Sequence, residues 1–331
     1  MKIIPGESNE ASVACLAVVL LLLASGCTSH PPLLLPLLPS DSPYVTLELE
    51  TTPFHSQKDY QCGPAALATL LEDSGIAVTA ESLLPQVYLP KKRGSLQLEM
   101  VAASRRYNRI PYVIKPDLNS LLKELQAERP VVVLQNLGLS LVPVWHYAVV
   151  IGYSAQKDEI ILRSGVTRRK LLSSHRFLDT WKAGSHWGMI LLKPGELPAA
   201  PELLPYLKAV AAMERLAPAD SLIAAYGAAL RRWPDSSIAH FGLAAAHHAK
   251  GQLKAAEDGY RKVLANKPDD PATLNNLAEV LNDRGCREEA LAMLNRALRN
   301  EPGVLRQHLL ETAREIEDSE ATAPNRPRHC Q

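Results

Sequence analysis

Two side chains in this sequence have types and settings suited to nucleophilic chemistry. The first is Cys62, in the segment Gln57-Lys58-Asp59-Tyr60-Gln61-Cys62-Gly63-Pro64-Ala65-Ala66-Leu67. Beyond it, Leu67, Leu70 and Leu71 fall at the i, i+3, i+4 spacing of a buried helix face. Proline in a first turn marks a helix start, so Cys62 is expected at, or just before, a helix N-terminus. Unpaired backbone N–H groups and the positive end of the dipole lie there, and both are expected to lower the thiol pKa. A thiolate is the reactive nucleophile, and it needs a base. The second side chain, His146, lies in Val144-Trp145-His146-Tyr147-Ala148-Val149-Val150-Ile151-Gly152-Tyr153. That run is β-branched and aromatic and reads as a buried strand. A polar turn over 154–158 and a second strand over 159–163 complete a hairpin. A histidine at the start of such a strand is held rigidly, as a general base must be.

Other elements have to bring the two together. Spacing predicts helices over 82–87, 96–107 and 119–127, the last capped by Asp117 or Asn119, and a buried strand over 131–134. Helices followed by strands make a small α+β domain, with the nucleophile on a helix and the base on a sheet. His55, His175 and His186 lack this context and read as structural, and His146, His175 and His186 do not have metal-ligand spacing. Trp145 and Trp187 read as cleft or core aromatics. Lys91-Lys92-Arg93-Gly94 reads as a solvated basic turn, and there is no glycine-rich phosphate loop.

Gln-x-x-x-x-Cys-Gly-Pro-Ala opening a helix, with His-Tyr-Ala-Val-Val-Ile-Gly-Tyr downstream, resembles the bacteriocin-processing, double-glycine-leader cysteine peptidase family of the papain-like clan. More closely, the chain resembles secreted lipoproteins that join such a domain to helical repeats. The resemblance spans residues 52–194. It implies a papain-like fold in which Cys62 is the nucleophile and His146 the general base and acid. It further implies that the Gln57 amide, with the Cys62 backbone N–H, stabilises the oxyanion, and that no metal or cofactor takes part. A preorganised oxyanion donor is worth roughly 10²–10³ in rate. Two departures stand out. The gap from Gln57 to Cys62 is one residue shorter than the family spacing, leaving Gln61 as a fallback donor. Where the family carries Asp or Asn to orient the imidazole, this chain has Arg163-Ser164-Gly165. Either Ser164 or a backbone carbonyl serves there, or another residue substitutes, or the activity is reduced.

The front of the chain reads as an address. The apolar run over 12–23 is shorter than the roughly 20 residues of a bilayer span. It ends in Ala24-Ser25-Gly26-Cys27, small residues before a cysteine, which resembles a lipoprotein signal cleaved at 26 and lipidated on Cys27. Thr28, in place of Asp, favours the outer membrane by the same resemblance, with the protein facing the periplasm. The prolines over 31–43 forbid a regular helix, so residues 27–50 are read as an extended tether.

The back of the chain repeats. Pro234, Pro268 and Pro302 are spaced by 34, the tetratricopeptide period, and Tyr226, Tyr260 and Leu294 recur at the same interval. Three repeats follow, over 201–234, 235–268 and 269–302, with a capping helix over 303–318 and a disordered tail over 319–331. The peptidase-like domain then occupies 51–195. With 36 basic and 35 acidic residues, net charge gives no argument for nucleic acid. Cys15, Cys27, Cys62, Cys286 and Cys330 show neither paired spacing nor C-x-x-C, which argues against a disulfide scaffold, and Cys286 reads as inert.

The sequence thus predicts an α+β papain-like cysteine peptidase domain followed by an all-α tetratricopeptide repeat array. Its expected partners are a peptide or protein substrate, a protein bound by the repeats, and the membrane through Cys27. The rival expectation is a protein-binding scaffold lipoprotein whose peptidase-like domain is weak or inactive. Acyl transfer at the same site is a third.

Overall fold

The computed structural model describes residues 31–39, 42, 45–57, 61–300 and 303–322. The signal segment, Cys27 and residues 323–331 lie outside them. Seven strands form one antiparallel sheet: β1 (Thr46–Glu48), β2 (Ile110–Val113), β3 (Val131–Asn136), β4 (Trp145–Ser154), β5 (Glu159–Ser164), β6 (Thr167–Ser173) and β7 (Gly188–Leu192). The order is β2-β7-β3-β4-β5-β6, and β1 pairs with the far end of β4. Period-two alternation divides the sheet residues between two cores. Val132, Leu134, Tyr147, Val149, Ile151 and Ile161 pack under helices α1 (Cys62–Asp73), α2 (Ala80–Val87) and α3 (Gln97–Arg106). Val131, Val133, Ala148, Val150, Ile160 and Leu162 pack under α4 (Leu118–Gln126) and α5 (Ser174–Ala183). Asp117 caps α4, its carboxylate accepting from the Ser120 N–H.

The second core does not stop at the end of the α+β domain. It continues through Tyr206, Leu207 and Val210 of α6 (Leu203–Ala211) into Leu222, Ala225 and Tyr226 of α7 (Ala219–Arg232). Polar bonds reinforce the seam: the buried Glu124 carboxylate accepts from the Ala199 N–H at 2.8 Å, and Asn108 donates to the Ser221 hydroxyl at 2.8 Å. The repeats follow as α6/α7, α8 (Ser237–Ala249)/α9 (Leu253–Asn266) and α10 (Pro271–Asp283)/α11 (Arg287–Arg299), capped by α12 (Arg306–Thr322). The 34-residue register is physical. Trp233 and Lys267, each before a period proline, share one backbone conformation, φ −134° with ψ 75° and 77°. The proline ring denies them the helical region, so both helices stop at the same place. Leu309 and Ile316 of α12 are buried on the third repeat.

Three expectations are corrected. The tether is not free over its described part. Leu34 is fully buried, the Leu33 and Leu34 N–H groups donate to Asp158 Oδ1 at 2.9 Å, His175 Nε2 donates to the Pro31 carbonyl, and β1 joins the sheet. The prolines allow no more than a 3-10 turn at Leu35–Leu37, but they do not forbid burial of the leucines between them. The tail's helix runs past 318 to Thr322. Finally, Cys286 is not an inert free thiol: it is buried and disulfide-bonded.

Asp158 anchors the N-terminal segment. Burial alone would raise its carboxyl pKa, but hydrogen bonds from Ser174, Leu34 and Leu33 hold it below the ordinary range. Asp158→Ala should cost roughly 2 kcal/mol by leaving those donors without an acceptor. It should also speed proteolytic cutting within residues 31–39. Wild-type protection of that segment in the variant would show that the carboxylate does not hold it.

Candidate active site

Cys62 is the first residue of α1, and its N-cap, Gln61, makes no side-chain capping bond. The helix-end N–H groups are therefore left for the sulfur. Backbone N–H groups of Tyr147, Gly63 and Cys62 favour the thiolate, yet burial outweighs them and pushes the Cys62 thiol above its ordinary value. The depressed pKa expected from the helix N-terminus is not found, because burial outweighs the hydrogen bonds that favour the thiolate. Cys62 is a free thiol.

His146 is the second residue of β4, opposite Gln135 of β3. Its Nε2 shares a 2.9 Å hydrogen bond with Ser164 Oγ, at the end of β5. Burial lowers the imidazole pKa to about 4, and the charge of Lys170 on β6 adds to the shift. Ser164 is followed by the tight turn into β6, where Gly165 takes φ +62°, a conformation that disfavours any side chain. The Gly165 carbonyl accepts the Gln57 N–H at 3.1 Å, tying the approach to α1 against this hairpin. The neighbouring Arg163 faces the other way. It is 4% exposed, and its guanidinium donates to the carbonyls of Thr52, Glu50 and Arg168.

Cys62, His146 and Gln57 line one cleft of about 990 Å³. Among the described residues, no hydrogen bond joins Cys62 to His146 directly. The sulfur instead meets the N–H of Tyr147, the residue after His146. Gln61, the fallback donor, is not among the lining residues. The outlying histidines are structural: His55 pairs with Glu72 at 2.7 Å, and His186 packs edge-on against Trp181. Trp145 lines the cleft and is half exposed, while Trp187 packs edge-on against Tyr147.

Sequence reasoning missed one wall. The basic turn is not merely solvated: Lys92, Arg93, Gly94 and Ser95 line the cleft. Ser95 presses against the nucleophile's helix. A Cβ on Gly63 would lie 2.2 Å from Ser95 Oγ, so only glycine fits after Cys62. The Tyr147 hydroxyl donates to the Ser95 carbonyl at 3.3 Å, while the Ser95 hydroxyl is buried with no partner. Such an orphan costs roughly 1–3 kcal/mol. Nothing local in the sequence could have shown this, because the contact joins segments more than thirty residues apart. The loop before β4 was also missed. Asn136 Oδ1 clamps it by accepting from the Gly138 and Val144 N–H groups, and Leu139, Leu141 and Val142 project from it into solvent.

Residues 49–185 match the Peptidase_C39 like family, and residues 206–271 match a tetratricopeptide repeat family. No curated protein matches the chain. Among solved structures, a C39-like peptidase from Bacillus anthracis is 18% identical over 45% of this chain and 98% of its own, with a TM-score of 0.38. The peptidase domain of Streptococcus ComA, a bi-functional ABC transporter involved in a quorum sensing pathway, is 21% identical over 43% of this chain and 98% of its own, with a TM-score of 0.36. A double glycine motif protease from an AMS/PCAT transporter, solved with its leader peptide, is 16% identical over 44% of this chain and 96% of its own, with a TM-score of 0.33. With the sequence match over residues 49–185 and the repeat match behind it, the chain carries a C39-like peptidase domain followed by tetratricopeptide repeats.

Proposed function

We propose that this protein is a lipid-anchored cysteine peptidase of the outer membrane, facing the periplasm, whose repeats bind a protein partner or substrate. The observation that carries the catalytic part is the shared cleft. A thiol at an uncapped helix N-terminus and an imidazole held by Ser164 open into it together. Lipidation at Cys27 rests on the sequence pattern around it.

The chemistry follows from the resting charges. In the tautomer whose Nε2–H donates to Ser164, the other ring nitrogen, Nδ1, keeps its lone pair and can take the thiol proton. Both groups are neutral at pH 7, since burial raises the thiol and lowers the imidazole. Attack therefore begins with transfer of the thiol proton to His146 as the sulfur bonds to the amide carbonyl. The oxyanion is met by the Cys62 N–H and the Gln57 amide. The imidazolium then protonates the leaving amine, and water releases the acid and regenerates the thiol.

One observation favours a second reading, a scaffold with weak or no activity: Ser164 stands where a carboxylate would stabilise the imidazolium. Alkylation by iodoacetamide at pH 7 separates the two. In a working pair the thiol proton leaves through His146, so His146→Ala slows alkylation about a hundredfold, the lower end of general-base contributions. A Cys62 whose alkylation ignores His146 identifies the scaffold.

Ser164→Asp should raise the His146 pKa from about 4 toward neutrality by pairing the imidazolium with a carboxylate. Titration of the ring by NMR reads this directly, and an unmoved pKa would mean that position 164 does not orient the histidine.

Stability should follow the same group. His146 titrates near 4 when folded and near 6.5 when unfolded, so the unfolded chain binds the extra proton between those values. Its contribution is complete above pH 6.5 and falls by roughly 3 kcal/mol as pH drops to 4. Urea midpoints should show a shallower decline across that window in His146→Gln. Equal slopes in the two proteins would refute the shift.

A further inference from the structure

The hydroxyl of Ser95 has no use in the resting protein. It is buried, has no hydrogen-bond partner, and lies against the Cα of Gly63, one residue past the nucleophile. Three features keep it there. The Ser95 carbonyl is held by the Tyr147 hydroxyl. The Tyr147 ring is in turn packed edge-on by Trp187 at 5.8 Å. The turn carrying Ser95 is closed by a backbone bridge between Leu89 and Gly94. A position that only filled space would be better served by alanine, since an unpaired buried hydroxyl destabilises and its removal relieves the fold. Buried orphan groups of this kind mark strained or working sites.

We propose that Ser95 is a positioning residue for the peptidase reaction, its hydroxyl held in reserve as a hydrogen-bond donor for the negative charge that appears on Cys62 when the thiol gives up its proton. The inference rests on the catalytic reading of Cys62 and His146. In the step it describes, the proton moves from Cys62 Sγ to the His146 ring, while Ser95 keeps its own proton and turns it toward the sulfur. The absent side chain of Gly63 is what lets the Ser95 side chain sit this close to the nucleophile's helix. The other titratable groups around the sulfur are His146 and Tyr147 on β4 and Lys92 and Arg93 on the basic turn, with Lys170 acting on His146 from β6. The Tyr147 hydroxyl is committed to Ser95, and the Nε2 of His146 to Ser164. The Ser95 hydroxyl is a neighbouring donor with no bond to break.

The test is the pH–rate profile of iodoacetamide alkylation at Cys62 in the full chain, for wild type, Ser95→Ala and Ser95→Thr, with thermal unfolding of each. Ser95→Ala should slow alkylation at pH 7.5 about tenfold and move the profile's midpoint up by about one pH unit, which is the same factor expressed as a pKa shift. It should also unfold at a higher temperature than wild type, because an orphan has been removed. Ser95→Thr, which keeps the hydroxyl, should restore the wild-type midpoint. A Ser95→Ala profile that overlays the wild type overturns the proposal, and so does a lower unfolding temperature, which would mean the hydroxyl is already paired. His146→Ala in the same assay keeps the two readings apart. If it leaves the wild-type profile unchanged, the peptidase reading fails, whereas a midpoint moved by Ser95→Ala still assigns the donor to the thiol.

Discussion

A guanidinium that cannot give up its proton is buried at Arg163, and the arrangement of the cleft depends on satisfying it. Only hydrogen bonds to every face of the group make such burial tolerable. The acceptors are backbone carbonyls, from Glu50 and Thr52 on one side and Arg168 on the other. Residues 50–52 must therefore lie along β5, and the Gly165 carbonyl catches the chain again at Gln57. Two ties on either side of 53–56 deliver the chain to α1 beside the hairpin that carries the histidine's partner. At the irregular end of β5, where the pairing with β6 shifts register, Ser164 meets His146.

Strand alternation makes the molecule a single body rather than a domain with an appendage. One face of the sheet is closed by the helix that bears Cys62. The other is closed by α4, α5 and the first repeat, whose Tyr206 and Tyr226 lie in the same core as Val133 and Val150. The first repeat is accordingly the irregular one. Its opening helix, Leu203–Ala211, is shorter than the thirteen residues of Ser237–Ala249 and Pro271–Asp283, because it packs on the sheet instead of on a preceding repeat.

What could be read from the sequence was what repeats or is local. The 34-residue period gave the three helix pairs, because a proline every 34 residues stops a helix wherever it falls. Cys62 at a helix start and His146 on a strand were legible from a few neighbours each. Burial was not legible. The helix N-terminus predicted a lowered thiol pKa, and the structure reverses the sign because desolvation depends on everything packed around the sulfur. The Ser95 wall and the docking of Leu34 were hidden for a related reason, since each depends on segments that sequence distance keeps apart.

A neutral thiol beside a neutral imidazole has a consequence for how such a site can work. An ion pair formed in advance makes a cysteine reactive toward any electrophile that reaches it. Here both shifts oppose that pair, so charge separation must be driven in the step where the carbonyl is attacked. Interactions present only in that step raise the rate without stabilising the resting state. The groups that could supply them are the Gln57 amide in the cleft and the Ser95 hydroxyl, while the Cys62 N–H already meets the sulfur. In the proposed reaction such a cleft stays unreactive until a peptide seats its carbonyl among those donors, which would place selectivity in the fit of the peptide and not in the reactivity of the thiol.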